Sequence, residues 1–257
     1  VKLATYNINN VNKRLDVLLA WLDDAAPDVV CLQELKAATK DFPAAALEAA
    51  GYDSVWRGQR AWNGVAILSR VGTPVMTRDR LPDDPDAAQA RYIEAAVNGT
   101  LVGCLYAPNG NPQPGPKFDY KMQWMTAFEA HAAELLGSGL PVVLAGDFNV
   151  VPTPLDMYET TSYEANALVQ PGPREAYQRL LDQGWVDTIR KAFPKQQVFT
   201  FWDYMRKRWE RNAGLRLDHI LVPKKLVRRL TEAGIDRPVR GWDNASDHAP
   251  VWIALKD

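Results

Sequence analysis

Short apolar runs recur along the chain, each closed by a polar residue or a turn, and the stretches between them carry apolar side chains at helical spacing. Residues 3–8 alternate as a strand does, Asn9 and Asn10 break the pattern, and Leu15, Leu18, Leu19 and Leu22 then fall on one helical face. Pro27 closes that helix, and residues 28–33 supply a second strand whose far end presents Glu34. Residues 52–57 and 64–69 predict neighbouring strands. Residues 92–97 and 101–106 predict a hairpin around Asn98-Gly99, the strongest local turn signal in the chain. Residues 82–86 are acidic and Pro-containing and are expected to form an exposed connection.

Residues 107–116 are too rich in Pro, Gly and Asn for a helix. They lead into a helical pattern carrying Met122, Met125, Phe128 and Leu135. Residues 141–145 form a compact strand that delivers Gly146-Asp147-Phe148-Asn149 to its end. Residues 150–173 read as loop, with Pro152, Pro154, Pro171 and Pro173 restricting the backbone, and helix is expected to resume over 174–181 and 186–193. Residues 217–222 and 251–255 close the pattern as late core strands. Buried strands separated by amphipathic helices indicate an α/β domain spanning residues 1–257, with two strand-rich halves that hint at duplicated architecture. A doubly wound sheet is also compatible with this periodicity.

Charge adds little globally: 30 basic residues against 31 acidic give a net charge of -1, so the balance does not single out a nucleic-acid binder. Locally, Lys195, Arg206, Lys207, Arg208, Arg211 and Arg216 face only Asp203 and Glu210, a patch suited to tracking phosphates or to forming a solvated face. Cys31 and Cys104 lie inside apolar runs and read as reduced core residues. The first residues show no signal peptide and no apolar stretch spans a membrane, so a cytoplasmic protein without membrane association is expected.

The candidate chemistry sits at the ends of the apolar runs. Asn7, Glu34, Asp147, Asn149, Asp218, Asp247 and His248 each have an ordinary explanation singly, in a turn, a cap or a buried hydrogen bond. Their joint placement at strand ends points to one metal-dependent hydrolytic site assembled from distant segments. Oxygen ligands of this kind suit Mg2+, with Mn2+ as a substitute, and no Cys/His cluster suits structural zinc. Ser246 adjoins Asp247 and His248, but adjacency is not a triad, and the chain has no Gly-x-Ser-x-Gly elbow.

Seven motifs carry a closer resemblance. These are Tyr-Asn7-Ile-Asn, Leu-Gln-Glu34-Leu-Lys, Trp62-Asn63-Gly-Val-Ala-Ile-Leu-Ser, Tyr106-Ala-Pro-Asn109-Gly, Gly-Asp147-Phe-Asn149, Gly-Leu-Arg216-Leu-Asp218-His and Ser246-Asp247-His248-Ala-Pro. In this order they resemble the exonuclease III and apurinic/apyrimidinic endonuclease family of the DNase I-like endonuclease/exonuclease/phosphatase superfamily, across essentially the whole chain. The resemblance implies a four-layered α/β sandwich, two packed mixed β-sheets flanked by helices, with the active site at one edge of their junction. It implies metal ligation by Glu34 with Asn7, and contributions from Asp147, Asn149, Asp247 and His248. Asp147 would orient or deprotonate the attacking water with help from Asn149, Asp218 would orient His248, and Tyr106 would approach the phosphate or the leaving oxygen.

On the DNA side the resemblance implies a cleft with Trp62 and Asn63 on one rim, Arg91 as a phosphate or network residue, and Asn109 and Lys121 near the phosphate. Phe201, Trp202, Met205, Arg206, Lys207, Arg208 and Arg211 form the other rim. Trp62 and Trp202 have a second reading as plugs closing the ends of the core. Phe201 departs from the tryptophan common in the bacterial pattern; it keeps stacking area and loses the indole donor. His131 and His219 are read as structural or surface residues.

The expected function is Mg2+-dependent hydrolysis of DNA phosphodiesters in base-excision repair, acting as a monomer on double-stranded DNA at abasic sites or 3′ ends. An RNA or small-molecule phosphoesterase of the same superfamily is the enzymatic alternative. A DNA-binding scaffold with a weak site is the non-enzymatic one.

Overall fold

The computed structural model describes residues 1–256. The strands, in chain order, are β1 (Lys2–Asn7), β2 (Val29–Gln33), β3 (Asp53–Arg57), β4 (Val65–Ser69), β5 (Val75–Arg78), β6 (Tyr92–Val97), β7 (Thr100–Tyr106), β8 (Val142–Asp147), β9 (Trp185–Asp187), β10 (Asp218–Pro223), β11 (Leu230–Ile235) and β12 (Val251–Leu255). The helices are α1 (Leu15–Ala25), α2 (Ala44–Ala49), α3 (Pro116–Gly137), α4 (Pro171–Gln183), α5 (Thr188–Ala192) and α6 (Lys224–Val227). They build two six-stranded sheets, ordered β11-β12-β1-β2-β4-β3 and β5-β6-β7-β8-β10-β9. Each sheet holds one parallel pair at its centre, β1/β2 and β7/β8, with antiparallel neighbours on both sides. The two halves therefore repeat one pairing scheme, although the first sheet borrows its last two strands from the C-terminus.

Strand periodicity explains the layers. Along β2, Val29 and Cys31 point into a core shared by both sheets, while Val30 and Leu32 point outward onto α1, with Trp21 and Leu22. Along β8, Val143 and Ala145 join the shared core, and Val142 and Leu144 pack under α3 and α4, with Trp124, Phe128 and Tyr177. Both faces of the central strands are buried, so they read as continuous apolar runs rather than as alternating ones. The result is the expected helix, sheet, sheet, helix sandwich.

The same period of two decides where the polar strand ends point. Counting from the inward residues Leu3, Cys104, Val143 and Ile220, the side chains of Asn7, Tyr106, Asp147 and Asp218 also face the seam between the sheets. Asp147 is paired in register with Tyr106 on one side and with Asp218 on the other, so three strands bring three polar residues side by side.

Two local expectations are corrected. The loop read over residues 150–173 ends early, because Pro171 opens α4; at a first helical position proline forfeits a hydrogen bond the helix does not use. Residues 186–193 are a strand followed by a helix. Trp185–Asp187 pairs with β10, and the Asp187 side chain caps α5 by accepting from the Arg190 amide. Strand β5 had no signal, since all four of its residues are exposed on a sheet edge and no face of it needs to be apolar.

Candidate active site

Backbone geometry holds the site's two acidic turns. Gly146 lies so close to β7 that an added Cβ would sit 1.9 Å from the Leu105 carbonyl oxygen, which keeps β8 tight against β7 just before Asp147. Asn149 and Glu34 adopt left-handed backbone conformations, φ 48 and 52, turning the chain sharply as each strand ends. Asparagine tolerates this conformation; glutamate is held in it by backbone bonds around it, from the Asn10 amide to the Glu34 carbonyl and from the Leu35 amide to the Gly64 carbonyl.

At the centre, the Asn7 amide donates to Glu34 Oε1 and to Asp147 Oδ2, both at 3.0 Å, and so spans the two carboxylates from opposite sheets. Tyr106 donates its phenol to Glu34 Oε1 at 2.9 Å. His248 turns Nδ1 toward Asp218 Oδ2 at 2.8 Å and Nε2 toward Asp147 Oδ2 at 3.9 Å. Asn149 donates to the Ala107 carbonyl at 2.9 Å and accepts from Asn109 at 3.2 Å. Asp247 accepts from Asn9 at 2.9 Å, and Lys36 reaches both Asn9 and Glu34, so residues 9, 36 and 247 form a second ring around the centre. Lys36 and Asn9 had no role in the sequence reading. Lys36 was visible only as the last letter of the Glu34 motif, since a lysine two residues from a turn carries no signal of direction.

The electrostatics separate the titratable groups. Burial works against the Glu34 carboxylate, but the Lys36 ammonium and the Asn7 amide outweigh it and hold the group below the usual carboxylate range. Burial pushes Asp147 upward, Asp218 and Glu34 add to that, and His248 pulls back. For His248 burial opposes the charged form, yet Asp218 and Asp147 raise it to about 10, so the imidazole carries a proton at neutral pH. Burial drives the Tyr106 phenol up, with Glu34 and Asp147 adding, which keeps it a neutral donor.

Glu34, Asp147 and His248 each offer an atom within 4.8 Å of the others, a group able to hold a metal ion. The Asn7 amide is already bonded at both ends, since its oxygen accepts from the Asn9 amide. An amide oxygen has two lone pairs, so that one bond leaves the second free for a cation. The two acidic oxygens fit a hard divalent cation, and Lys36 marks the spot as one that attracts positive charge.

A cleft of about 710 Å³ runs from Glu34 and Tyr106 past Asn109 and Arg91 to Trp62. Arg91 lies over the Tyr106 ring at 5.0 Å and the Tyr120 ring at 5.8 Å. Trp62, which lines the cleft, is 69% exposed, and Met205, in the segment after Phe201, is 68% exposed. Arg206, Lys207 and Arg211 are exposed beside Met205. Phe201 lies against the His248 ring, centroids 4.9 Å apart.

Three residues expected to touch DNA are corrected, because they are buried away from the cleft. Trp202 is 1% exposed, packed edge-on to Phe199 and Trp209, so its core reading holds. Lys121 is 0% exposed and its ammonium donates to the Asn109 and Asn149 carbonyls; burial pulls it down to about 7. Arg208 stacks on Tyr163 at 4.7 Å and bonds to its hydroxyl. Asn63, although only 6% exposed, lines the cleft beside Trp62 as expected and donates to Gln59 and Gln89. His131 and His219 lie outside the centre: His131 is bonded to Glu94, and His219 lies between Arg216 and the Val150 carbonyl.

The profile of the Endonuclease/Exonuclease/phosphatase family matches residues 4–248. Exodeoxyribonuclease III of Haemophilus influenzae is 34% identical over 269 residues, covering 100% of both proteins. The 3′ phosphatase NExo from Neisseria, solved with a product DNA hairpin, superposes with a TM-score of 0.94 at 37% identity, over 100% of this chain and 99% of that one. An AP endonuclease from Archaeoglobus fulgidus gives a TM-score of 0.95 at 31% identity, over 100% of both chains. Among the described residues, no helix is long and apolar enough to cross a membrane.

Proposed function

The chain belongs to the endonuclease/exonuclease/phosphatase family, and from that footing we propose that it is a Mg2+-dependent DNA-repair nuclease. It would incise on the 5′ side of abasic sites and clear nucleotides or blocking phosphates from 3′ ends. The observation that carries the reading is the convergence of Glu34, Asp147 and a protonated His248 in one seam, with Asp218 behind the histidine. The relatives act on DNA ends and abasic sites, as their names state, and the present cleft has the same fold around it.

Glu34 and Asp147 would hold the cation, which supplies Lewis-acid neutralisation of charge building on the phosphate. His248 is assigned the role of a cation rather than of a ligand, because Asp218 takes its Nδ1–H and the raised pKa keeps Nε2–H available to a phosphate oxygen. Asp147, set between the Asn7 amide and the Nε2 edge of His248, would orient the attacking water and take its proton. The water oxygen bonds to phosphorus as the P–O3′ bond breaks, and the departing O3′ alkoxide takes a proton from solvent water to become the 3′-hydroxyl. Tyr106 donates from the adjacent strand and stays neutral through the reaction. Asn149, anchored by Ala107 and Asn109, borders the same oxygen positions.

The rims would grip duplex backbone, with Trp62 and Met205 as apolar contacts and Arg206, Lys207 and Arg211 as phosphate partners. Every proposed group comes from one chain, so a monomer in the cytoplasm suffices. The test uses matched duplexes holding an internal abasic analogue, a recessed 3′ end or a 3′-phosphate, with Mg2+ or with EDTA. Mg2+-restored cleavage that Glu34→Gln and Asp147→Asn abolish is expected. Metal-free cleavage, or cleavage only of RNA or small phosphoesters, would overturn the reading.

A further inference from the structure

Asp218 receives its support through a single oxygen. Its Oδ2 accepts from His248 Nδ1 at 2.8 Å and from the Thr200 hydroxyl at 2.6 Å, while Oδ1 is buried and has no partner among the described residues. Thr200 is itself completely buried. Its hydroxyl oxygen accepts the backbone amides of Leu217 and Asp218, at 3.0 and 3.1 Å. A hydroxyl has two acceptor sites and one proton. With both acceptor sites filled by N–H groups, the proton has one direction left, toward Asp218. The backbone around Thr200 is fixed as well, its amide donating to Leu215 and its carbonyl accepting from Ala249, both at 2.8 Å. The next residue, Phe201, lies against the face of the His248 ring.

We propose that Thr200 is a positioning residue for the hydrolysis: its hydroxyl holds the Asp218 carboxylate at one angle, and that carboxylate in turn holds the His248 imidazole facing Asp147 and the phosphate. The inference rests on the catalytic reading of His248 given above. Without the hydroxyl, Asp218 keeps one bond, on an oxygen it shares with nothing else, and is free to turn its unpartnered Oδ1 toward the imidazole. The damage falls on the chemical step, since Thr200 is sealed from the cleft that would bind DNA.

Thr200→Val keeps the shape and removes the donor; Thr200→Ser keeps the donor. Expected for Thr200→Val is a fall in kcat of about tenfold or more with KM within about twofold, and for Thr200→Ser a return to near the parent rate. A second readout needs no substrate. In protein labelled with 15N-histidine, the downfield imidazole N–H of His248, assigned by its loss in His248→Asn, is expected to shift and to exchange faster in Thr200→Val and to be unchanged in Thr200→Ser. Three histidines keep this spectrum simple. A parent-like rate and resonance in Thr200→Val would overturn the proposal, as would equal loss in the Val and Ser variants. If Thr200→Val does not fold, as judged by circular dichroism, Thr200→Ala takes its place with the same expectations. Should the parent protein cleave no phosphoester at all, the catalytic reading fails while the resonance still reports whether Thr200 orients Asp218 and His248.

Discussion

His219 is expected to make the protein's stability acid-sensitive on β10, beside Asp218. The imidazole is fully buried on β10, next to Asp218. Arg216 donates to Nδ1 at 2.9 Å, and Nε2 donates to the Val150 carbonyl at 3.2 Å, so the ring is neutral with its proton on Nε2. Burial lowers its pKa and Arg216 adds to that, bringing it from 6.5 to about 4 in spite of Asp187 and Asp156. An unfolded chain takes up this proton near its ordinary pKa and the folded one does not. The contribution is therefore complete above that pKa and is lost as pH falls toward about 4. A depression of that size corresponds to about 3 kcal/mol.

Asp147, raised by burial, titrates in the opposite sense over part of the same window, so the parent's own pH profile mixes the two. The informative quantity is the difference between the parent and His219→Gln, which retains Asp147. Urea unfolding from about pH 7 down to about pH 4 is expected to show the parent's advantage shrinking by about 3 kcal/mol. A pH-independent gap would refute the neutral, pKa-depressed assignment. Loosening of Arg216, which also pairs with Asp156 and Asp187 at 2.6 and 2.7 Å, is expected to reach Asp218, two residues away.

Further outcomes are expected at the strand ends and rims. Gly146→Ala forces a side chain onto the Leu105 carbonyl and is expected to cost more than about 3 kcal/mol in denaturant unfolding, with activity lost at temperatures where the parent is stable. Lys121→Met fills the same space but leaves the Asn109 and Asn149 carbonyls without their donor; a loss of about 1–3 kcal/mol is expected, with kcat falling as Asn149 loosens. Arg240 bonds to the Trp202 carbonyl and stacks on Tyr204 at 4.8 Å and Trp209 at 5.6 Å. Arg240→Ala is therefore expected to speed amide exchange over residues 203–212 and to weaken duplex affinity by about tenfold, read by fluorescence anisotropy. Trp62→Ala with Met205→Ala is expected to weaken binding while leaving cleavage of saturating substrate nearly unchanged; an unchanged Kd would remove both from the DNA face.

Most of the strands and the polar residues that close them were legible along the chain, because a strand buried on both faces must be apolar at every position and a polar residue ends it visibly. That is how Asn7, Glu34, Asp147 and Asp218 stood out one at a time. Elements without an apolar face left no such mark: β5 is exposed along its whole length, and β9 is only three residues long. The proline pair at the start of α4 read as a loop because proline marks both breaks and first turns.

The period of two is local, so pattern alone also fixed which residues of a strand share a face. It did not determine that two inward-facing rows from different sheets end at the same height. Asn7 and Asp147 are 140 residues apart and meet at 3.0 Å only because the sheets pack face to face. Tertiary packing likewise turned Trp202, Lys121 and Arg208 inward, away from the cleft their chemistry suggested, and it left Trp62 and Met205 outside. Exposure is a property of what covers a side chain, and what covers these residues comes from distant segments. The same holds for Thr200: an ordinary threonine in sequence, it acquires a directed proton only when two amides and a carboxylate close around it.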